Sequence, residues 1–196
     1  MPTLTPGEVI AALGVVVGAV GFVIGLYQYH IAQKWKKSEF AAQLLEELAN
    51  DERLAICCKL LDYSTRKLPV PSQYRPLTEE SIFLHNWEAL SEAMSPEVEV
   101  RDFDWQAVLY RDLFDYFFGY LERINHYIDI GLITTKDVSS LEYWLKQIAS
   151  PRFVRTPVFH NFIQAYGYAG VLDLMKKYGI TYQQEHSTQS VIPADR

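Results

Sequence analysis

VIAALGVVVGAVGFVIGLYQYHIAQKWKK, residues 9–37, decides the architecture of this 196-residue chain. From Val9 to Leu26 every residue is apolar or glycine. Those 18 residues would span about 27 Å as a helix, and continuing to Tyr29 gives about 31 Å, against a hydrocarbon core of roughly 30 Å. Tyr27, Tyr29 and Trp35 cluster at the far end, where amphipathic rings favour the headgroup level. Lys34, Lys36 and Lys37 follow as a basic collar, and all 18 Lys and Arg residues lie after the apolar segment. The positive-inside rule then predicts a single-pass protein of the inner (plasma) membrane. Residues 1–8 form a short external N-terminus, 9–29 the transmembrane helix, and 30–179 a cytoplasmic helical domain. A cleaved signal peptide fits poorly, because no Lys or Arg precedes the segment and no small-x-small site follows it. A soluble core helix rarely runs this long without a polar residue.

The glycines in the span are ordered. Ala11, Gly14, Gly18, Gly21 and Gly25 step by three, four, three and four, which places them on one helical stripe. Small side chains in such a row let a second helix approach closely, so dispersion and Cα–H···O contacts favour association. The expected partners are the lipid bilayer and, through this stripe, either a second copy or another membrane protein.

After the collar the balance turns acidic. Residues 38–196 hold 15 Lys+Arg and 23 Asp+Glu, a formal charge of −8. Nucleic-acid binding depends on neutralising phosphates, so this composition excludes it as a partner. The two cysteines, Cys57 and Cys58, are adjacent. Neighbouring helical residues point about 100° apart and cannot form an ordinary bridge, which agrees with a reducing compartment and small apolar roles.

The pattern along the chain is helical. No Pro or Gly occurs between Leu26 and Lys67, so the membrane helix is expected to continue through Phe40, Ala41, Leu44, Leu45 and Leu48 to a break at Asn50-Asp51. A second helix, ERLAICCKLLDYS, folds back on it. Residues 64–77, with three prolines, read as a loop, and Thr78 with Glu79 and Glu80 as the start of a helix running to about Met94. EVEVRDF connects to the longest helix of the domain, capped by Asp104, with an apolar stripe of Phe114, Phe117, Leu121, Ile124 and Ile128 and a stop at Gly131. A further helix begins at Thr134 or Thr135, carries Val138, Leu141, Tyr143, Trp144, Leu145 and Ile148, and ends at Pro151. Thr156-Pro157 starts the last helix, which Gly167 and Gly170 either bend or open to close packing, and which Gly179 stops. Residues 180–196 are polar and expected to be a disordered tail. The fold class is all-α: one membrane helix continuing into a small multi-helix domain.

The run FFGYLERINHYIDIGLITTKDV, residues 117–138, followed by a Trp-bearing helix and FIQAYGYAGVLDLMKKYG, resembles a group of short bacterial proteins of unknown function. These carry an N-terminal membrane anchor and a helical cytoplasmic domain, with a Tyr-Leu-Glu-Arg-Ile helix and an Ile-x-x-Gly-Leu-Ile corner. The likeness covers roughly residues 105–179 plus the anchor. It implies a bacterial origin and the same architecture, and no activity.

The densest polar constellation is Asp115, Glu122, His126 and Asp129, spaced seven, four and three on one face of the long helix. Di-iron bundles use Glu-x-x-His on two helices, whereas here Glu-x-x-x-His occurs once, so a solvated face is expected. His85 and His160 stand alone and read as surface or satisfied core histidines. No metalloprotease, Cys-x-x-Cys, nucleophile-elbow, phosphate-loop or dinucleotide motif is present. No catalytic, cofactor-binding or metal-binding residue is assigned and no cofactor is expected. The residues singled out are the helix-packing stripe Ala11, Gly14, Gly18, Gly21 and Gly25, and the membrane-interface set Tyr27, Tyr29, Lys34, Trp35, Lys36 and Lys37. They predict a membrane-tethered interaction or scaffold module, with a sensory or regulatory module for stress or defence as the alternative, and no enzyme.

Overall fold

The computed structural model describes residues 5–96, 104–150 and 158–182. One helix, α1, runs from Pro6 to Asn50 without interruption. Its opening proline lacks only an amide that a helix leaves unpaired anyway. Asp51 ends α1 and caps the next helix, α2 (Glu52–Asp62): its Oδ1 accepts from the amides of Arg53 at 2.9 Å and Leu54 at 3.2 Å. The Asn50-Asp51 break therefore falls where the sequence places it, and α2 turns back against α1.

After α2 the chain departs from the helical expectation. Thr65–Pro69 (β1) and Ile82–Asn86 (β2) pair antiparallel, with Leu68 opposite Phe83 and Arg66 opposite His85. A short 3-10 helix at Ser72–Leu77 joins them. Thr78 starts no helix: its Oγ1 accepts from the Glu80 amide, and the chain then extends. The alternation over Ile82–Asn86 is real but only five residues long, with Phe83 and His85 inward and Ile82 and Leu84 outward. Asn86 is the actual cap of α3 (Trp87–Ala93), its Oδ1 accepting from Ala89 N at 2.8 Å. All-α broadly fits this mostly helical fold, to which the described residues add one small two-stranded sheet.

The long helix α4 (Trp105–Asp129) lies at the centre and touches α2, α3 and a C-terminal helix. Asp104 caps it, accepting from Ala107 N at 2.7 Å, and Gly131, at φ 72°, closes it in the left-handed conformation that glycine adopts without strain. Phe114, Phe117, Leu121 and Ile124 are fully buried as the stripe predicts. The next helix, α5 (Leu141–Ala149), begins later than Thr134 or Thr135. Asp137 accepts from both Thr134 N and Thr134 Oγ1 and holds a turn there instead. The expected single final helix is two, α6 (Val158–Ala165) and α7 (Ala169–Lys177), broken at Gly167 with φ 80°. Ile180 and Tyr182 pack against the core, so the ordered chain continues past Gly179. The EVEVRDF connection, the Pro151 stop, the Thr156-Pro157 start and the tail beyond 182 lie outside the described residues.

The core gathers on α4. Phe114 meets Phe159 at 4.8 Å between ring centroids, and Phe118 meets Phe162 and Tyr168. Leu44 and Leu48 of α1 join this core, whereas the apolar window of α1 contributes nothing to it.

Candidate functional site

α1 is long and apolar enough to cross a membrane, and none of its apolar window is buried by the rest of the chain. Ile10, Val15, Val17, Phe22 and Val23 are all exposed. Contiguous exposed apolar surface on this scale marks a place where another protein or a membrane can be met. The small-residue stripe lies open along it. A Cβ placed on Gly14, Gly18, Gly21 or Gly25 would meet no atom within 4 Å, and Ala11 is exposed. The stripe is available for a partner and has none within the chain's described residues.

At the exit from the apolar half, Tyr27, Tyr29, Lys34, Trp35 and Lys36 are exposed. Lys37 differs: its Nζ donates to the Gly131 carbonyl at 2.7 Å. Gly131 lies just past the C-terminal end of α4, where the helix dipole is negative and favours a nearby ammonium. From Lys37 upward α1 is clamped to α4. Phe40 packs edge-on to Tyr127, Tyr120 Oη donates to Leu44 O at 2.5 Å, Arg123 pairs with Glu47, and Tyr116 Oη donates to Asp51 Oδ2 at 3.2 Å. Residue numbers fall along α1 as they rise along α4, so the two helices are antiparallel. The C-terminal end of α4 therefore points toward the apolar half of α1.

The polar constellation on α4 is solvated only in part. Asp115 accepts from Tyr168 Oη at 2.8 Å, and Glu122 Oε1 accepts from the Gly170 amide at 3.0 Å. Asn125 donates to Asp173, while Lys177 bonds to Asn125, Asp129 and Asp173. This is the seam on which α7 docks, parallel to α4. A Cβ on Gly170 would sit 3.2 Å from Glu122 Cγ, so the absence of a side chain there lets the carboxylate reach the α7 backbone. Burial works against the Lys177 charge, but hydrogen bonds to Asp129 and Asp173 outweigh it and hold its pKa above the ordinary lysine value. His126 and Asp129 are both exposed, and His126 makes none of the bonds of the seam named here. Among the described residues no group of three or more His, Cys, Asp and Glu side chains is arranged to hold a metal ion.

His85 is a satisfied core histidine. Its Nε2 lies 3.0 Å from the Tyr63 carbonyl and its Nδ1 3.0 Å from Tyr110 Oη. The carbonyl can only accept, so Nε2 carries the proton and Nδ1 accepts from the phenol. Gln106 donates to Tyr110 Oη and to Leu84 O, which completes a network between β2 and α4. Burial lowers the His85 pKa below the usual histidine value. Cys57 is fully buried and its thiol donates to Leu113 O, while Cys58 is half-buried. Burial pushes the Cys57 thiol well up and the Cys58 thiol to about 12, so neither is a poised thiolate. His160 is half-buried and lies against Tyr182 at a tilt of 50°, 4.2 Å between centroids.

Comparison with protein-family models, with curated proteins and with solved structures finds no match to this chain. The site is therefore read from its own geometry. One concave feature adds to it: a cleft of about 340 Å³ between α1, α2 and α5, walled by Leu45, Leu48, Ala55, Cys58 and Trp144 with Lys59 and Asp62 at its rim.

Proposed function

We propose that this protein is a membrane-tethered interaction module. Its apolar half of α1 spans the inner (plasma) membrane with the N-terminus outside, and its helical domain is held at the cytoplasmic face. The observation that carries this reading is the division of α1. One continuous helix is bare and apolar over its first half and built into the domain core over its second. Such a helix transmits position rigidly, because no flexible linker intervenes between span and domain. The open stripe of Ala11, Gly14, Gly18, Gly21 and Gly25 supports lateral association with a second membrane helix, either another copy or a different protein.

The test is the mass and composition of the complex extracted from membranes in mild detergent, measured by light scattering and mass spectrometry. A defined homo-oligomer or a stoichiometric partner is expected, and Gly18→Leu with Gly21→Leu should disperse it while leaving the domain folded. A monomer with no companion protein, in both detergent and nanodiscs, overturns the proposal.

A second reading is favoured by the cleft against α1. Residues Leu45, Leu48 and Ala49 of α1 form one of its walls, so an apolar ligand seated there would bias the helix that anchors the domain. This is the sensory alternative. It predicts ligand-dependent thermal stability that Trp144→Ala removes.

A further inference from the structure

The cleft between α1, α2 and α5 carries two charged side chains, and both stand on α2. Lys59 and Asp62 are three residues apart, so they lie side by side on one face of that helix, with about 5–6 Å between Cβ atoms. Among the described residues the exposed Lys59 ammonium has no bonded partner, Asp62 included. Asp62 is half-buried, and its Oδ1 accepts from Tyr143 Oη of α5. An ionised carboxylate offers about four acceptor sites, so Oδ2 remains open to a further donor. Tyr143 also lies edge-on to Trp144, 4.8 Å between ring centroids. The bond that ties α5 to α2 therefore also helps set the indole that walls the cleft.

Away from these two groups the cleft is apolar. Leu45 and Leu48 of α1, Ala55 and Cys58 of α2 and Trp144 of α5 make its walls, and burial keeps the Cys58 thiol uncharged. Among the described residues no other charged side chain lines it. Ser140, just before α5, adds a hydroxyl that makes no capping bond to that helix. A volume of about 340 Å³ lies at the small end of the roughly 300–1,000 Å³ typical of small-molecule sites. Leu45 is 16 residues past Tyr29, about 24 Å along α1, whereas the headgroup layer is roughly 5–8 Å deep. On the membrane-spanning reading the cleft therefore opens to water, and its ligand is a water-soluble molecule rather than a lipid.

The pair of rim charges selects among ligands. A molecule with a carboxylate alone gains Lys59 but is repelled by Asp62, and one with an amine alone meets the reverse. A neutral apolar molecule fills the walls and leaves both charges unmatched. We infer that the cleft binds a free α-amino acid with a large apolar side chain, its carboxylate on Lys59, its ammonium on Asp62 and its side chain between Leu48 and Trp144. An α-amino acid carries its two opposite charges on one carbon, as neighbouring Lys and Asp side chains require, and its apolar part has three helices to pack against. The inference rests on the reading of the cleft as a ligand site and names the ligand class. Seated there, the ligand would join α2 and α5 to the wall that α1 supplies.

Isothermal titration calorimetry of the full chain in nanodiscs, with empty nanodiscs as the blank, tests this. The probes are L-phenylalanine, hydrocinnamate (which lacks the amine), phenethylamine (which lacks the carboxylate) and phenethyl alcohol (which lacks both charges). L-Phenylalanine should saturate a single site, and each of the other three should bind at least about fivefold more weakly. Lys59→Gln should weaken L-phenylalanine at least about fivefold without weakening phenethylamine, and Asp62→Asn should do so without weakening hydrocinnamate. The melting temperature without ligand checks that both variants are folded. Equal affinity for all four probes overturns the inference and leaves the cleft as a site for apolar ligands. L-Phenylalanine binding that neither variant changes also overturns it, because the ligand then sits elsewhere. If L-phenylalanine fails to bind and phenethyl alcohol binds in a way that Trp144→Ala removes, only the amino-acid inference fails. If none of the four binds, the reading of the cleft as a ligand site fails with it.

Discussion

The two halves of α1 belong to one helix and obey one set of backbone hydrogen bonds, yet they are stabilised by different surroundings. Residues 10–36 place valine, isoleucine, leucine and phenylalanine on every side and bury none of them. Residues 37–50 turn Phe40, Ala41, Leu44, Leu45 and Leu48 to the domain, and apart from the small Ala42 and Ala49 the remainder is polar. A helix apolar all round needs an apolar solvent, while a helix with one apolar stripe needs one partner face. The division falls at Lys37, the first residue of α1 to bond with the domain across a long sequence interval. A single helix can therefore be bare and apolar over one half and part of the core over the other, provided its periodicity changes partway.

Substitutions should separate the halves. The largest effect is expected from Leu44→Ala with Leu48→Ala, which empties two buried positions at about 2–5 kcal/mol each. Thermal unfolding of the domain should shift sharply downward, while Val16→Ala with Val20→Ala, on the bare half, leaves it unchanged. Comparable shifts from both pairs would mean that the halves are not independent. Next, Val20→Lys places a charge near the middle of the proposed span and should weaken insertion by about 2.5–3.5 kcal/mol. Carbonate-washed membranes should retain less protein, with the domain's melting temperature unaltered.

Acidification sharpens the contrast, because it acts on the domain and not on the apolar half. His85 has a folded pKa below its unfolded value of about 6.5, so the unfolded state binds the proton more readily. Its contribution is fully present above the unfolded pKa and is lost as pH falls through that value toward the lower folded one. The slope is at most about 1.4 kcal/mol per pH unit in that window. Near-ultraviolet circular dichroism in urea titrations at pH 7.5 and 5.5 should show the loss, and His85→Gln should flatten it. The smallest effect is expected at the clamp between α1 and α4. Arg123→Gln removes a partly exposed ion pair with Glu47 and should cost no more than about 0.2–1 kcal/mol. A loss several times larger would assign the clamp a greater share of the docking than Leu44 and Leu48 leave room for.

What could be read without coordinates was local. The uninterrupted apolar run, the Asp51 and Asp104 caps, the Gly131 stop and the stripe on α4 are each set by residues within a few positions of one another, where helix geometry and capping act. The small sheet escaped because its alternation spans only five residues, and because Thr78 followed by two glutamates carries a helix-start signal that pairing with β1 overrides. His126 and Glu122 share a helical face, yet one is exposed and the other holds an α7 amide, a difference that depends on where a chain segment 48 residues away returns. Lys37 reads as one of three equivalent collar lysines until Gly131, 94 residues on, is folded against it. The sequence by itself determined the course of α1, α2 and α4 and the change of pattern partway along α1, because periodicity and caps are short-range. Only the tertiary structure decided that part of the polar stripe of α4 is a docking seam for α7 and that Lys37 meets Gly131, because those juxtapositions come from how separate helices pack.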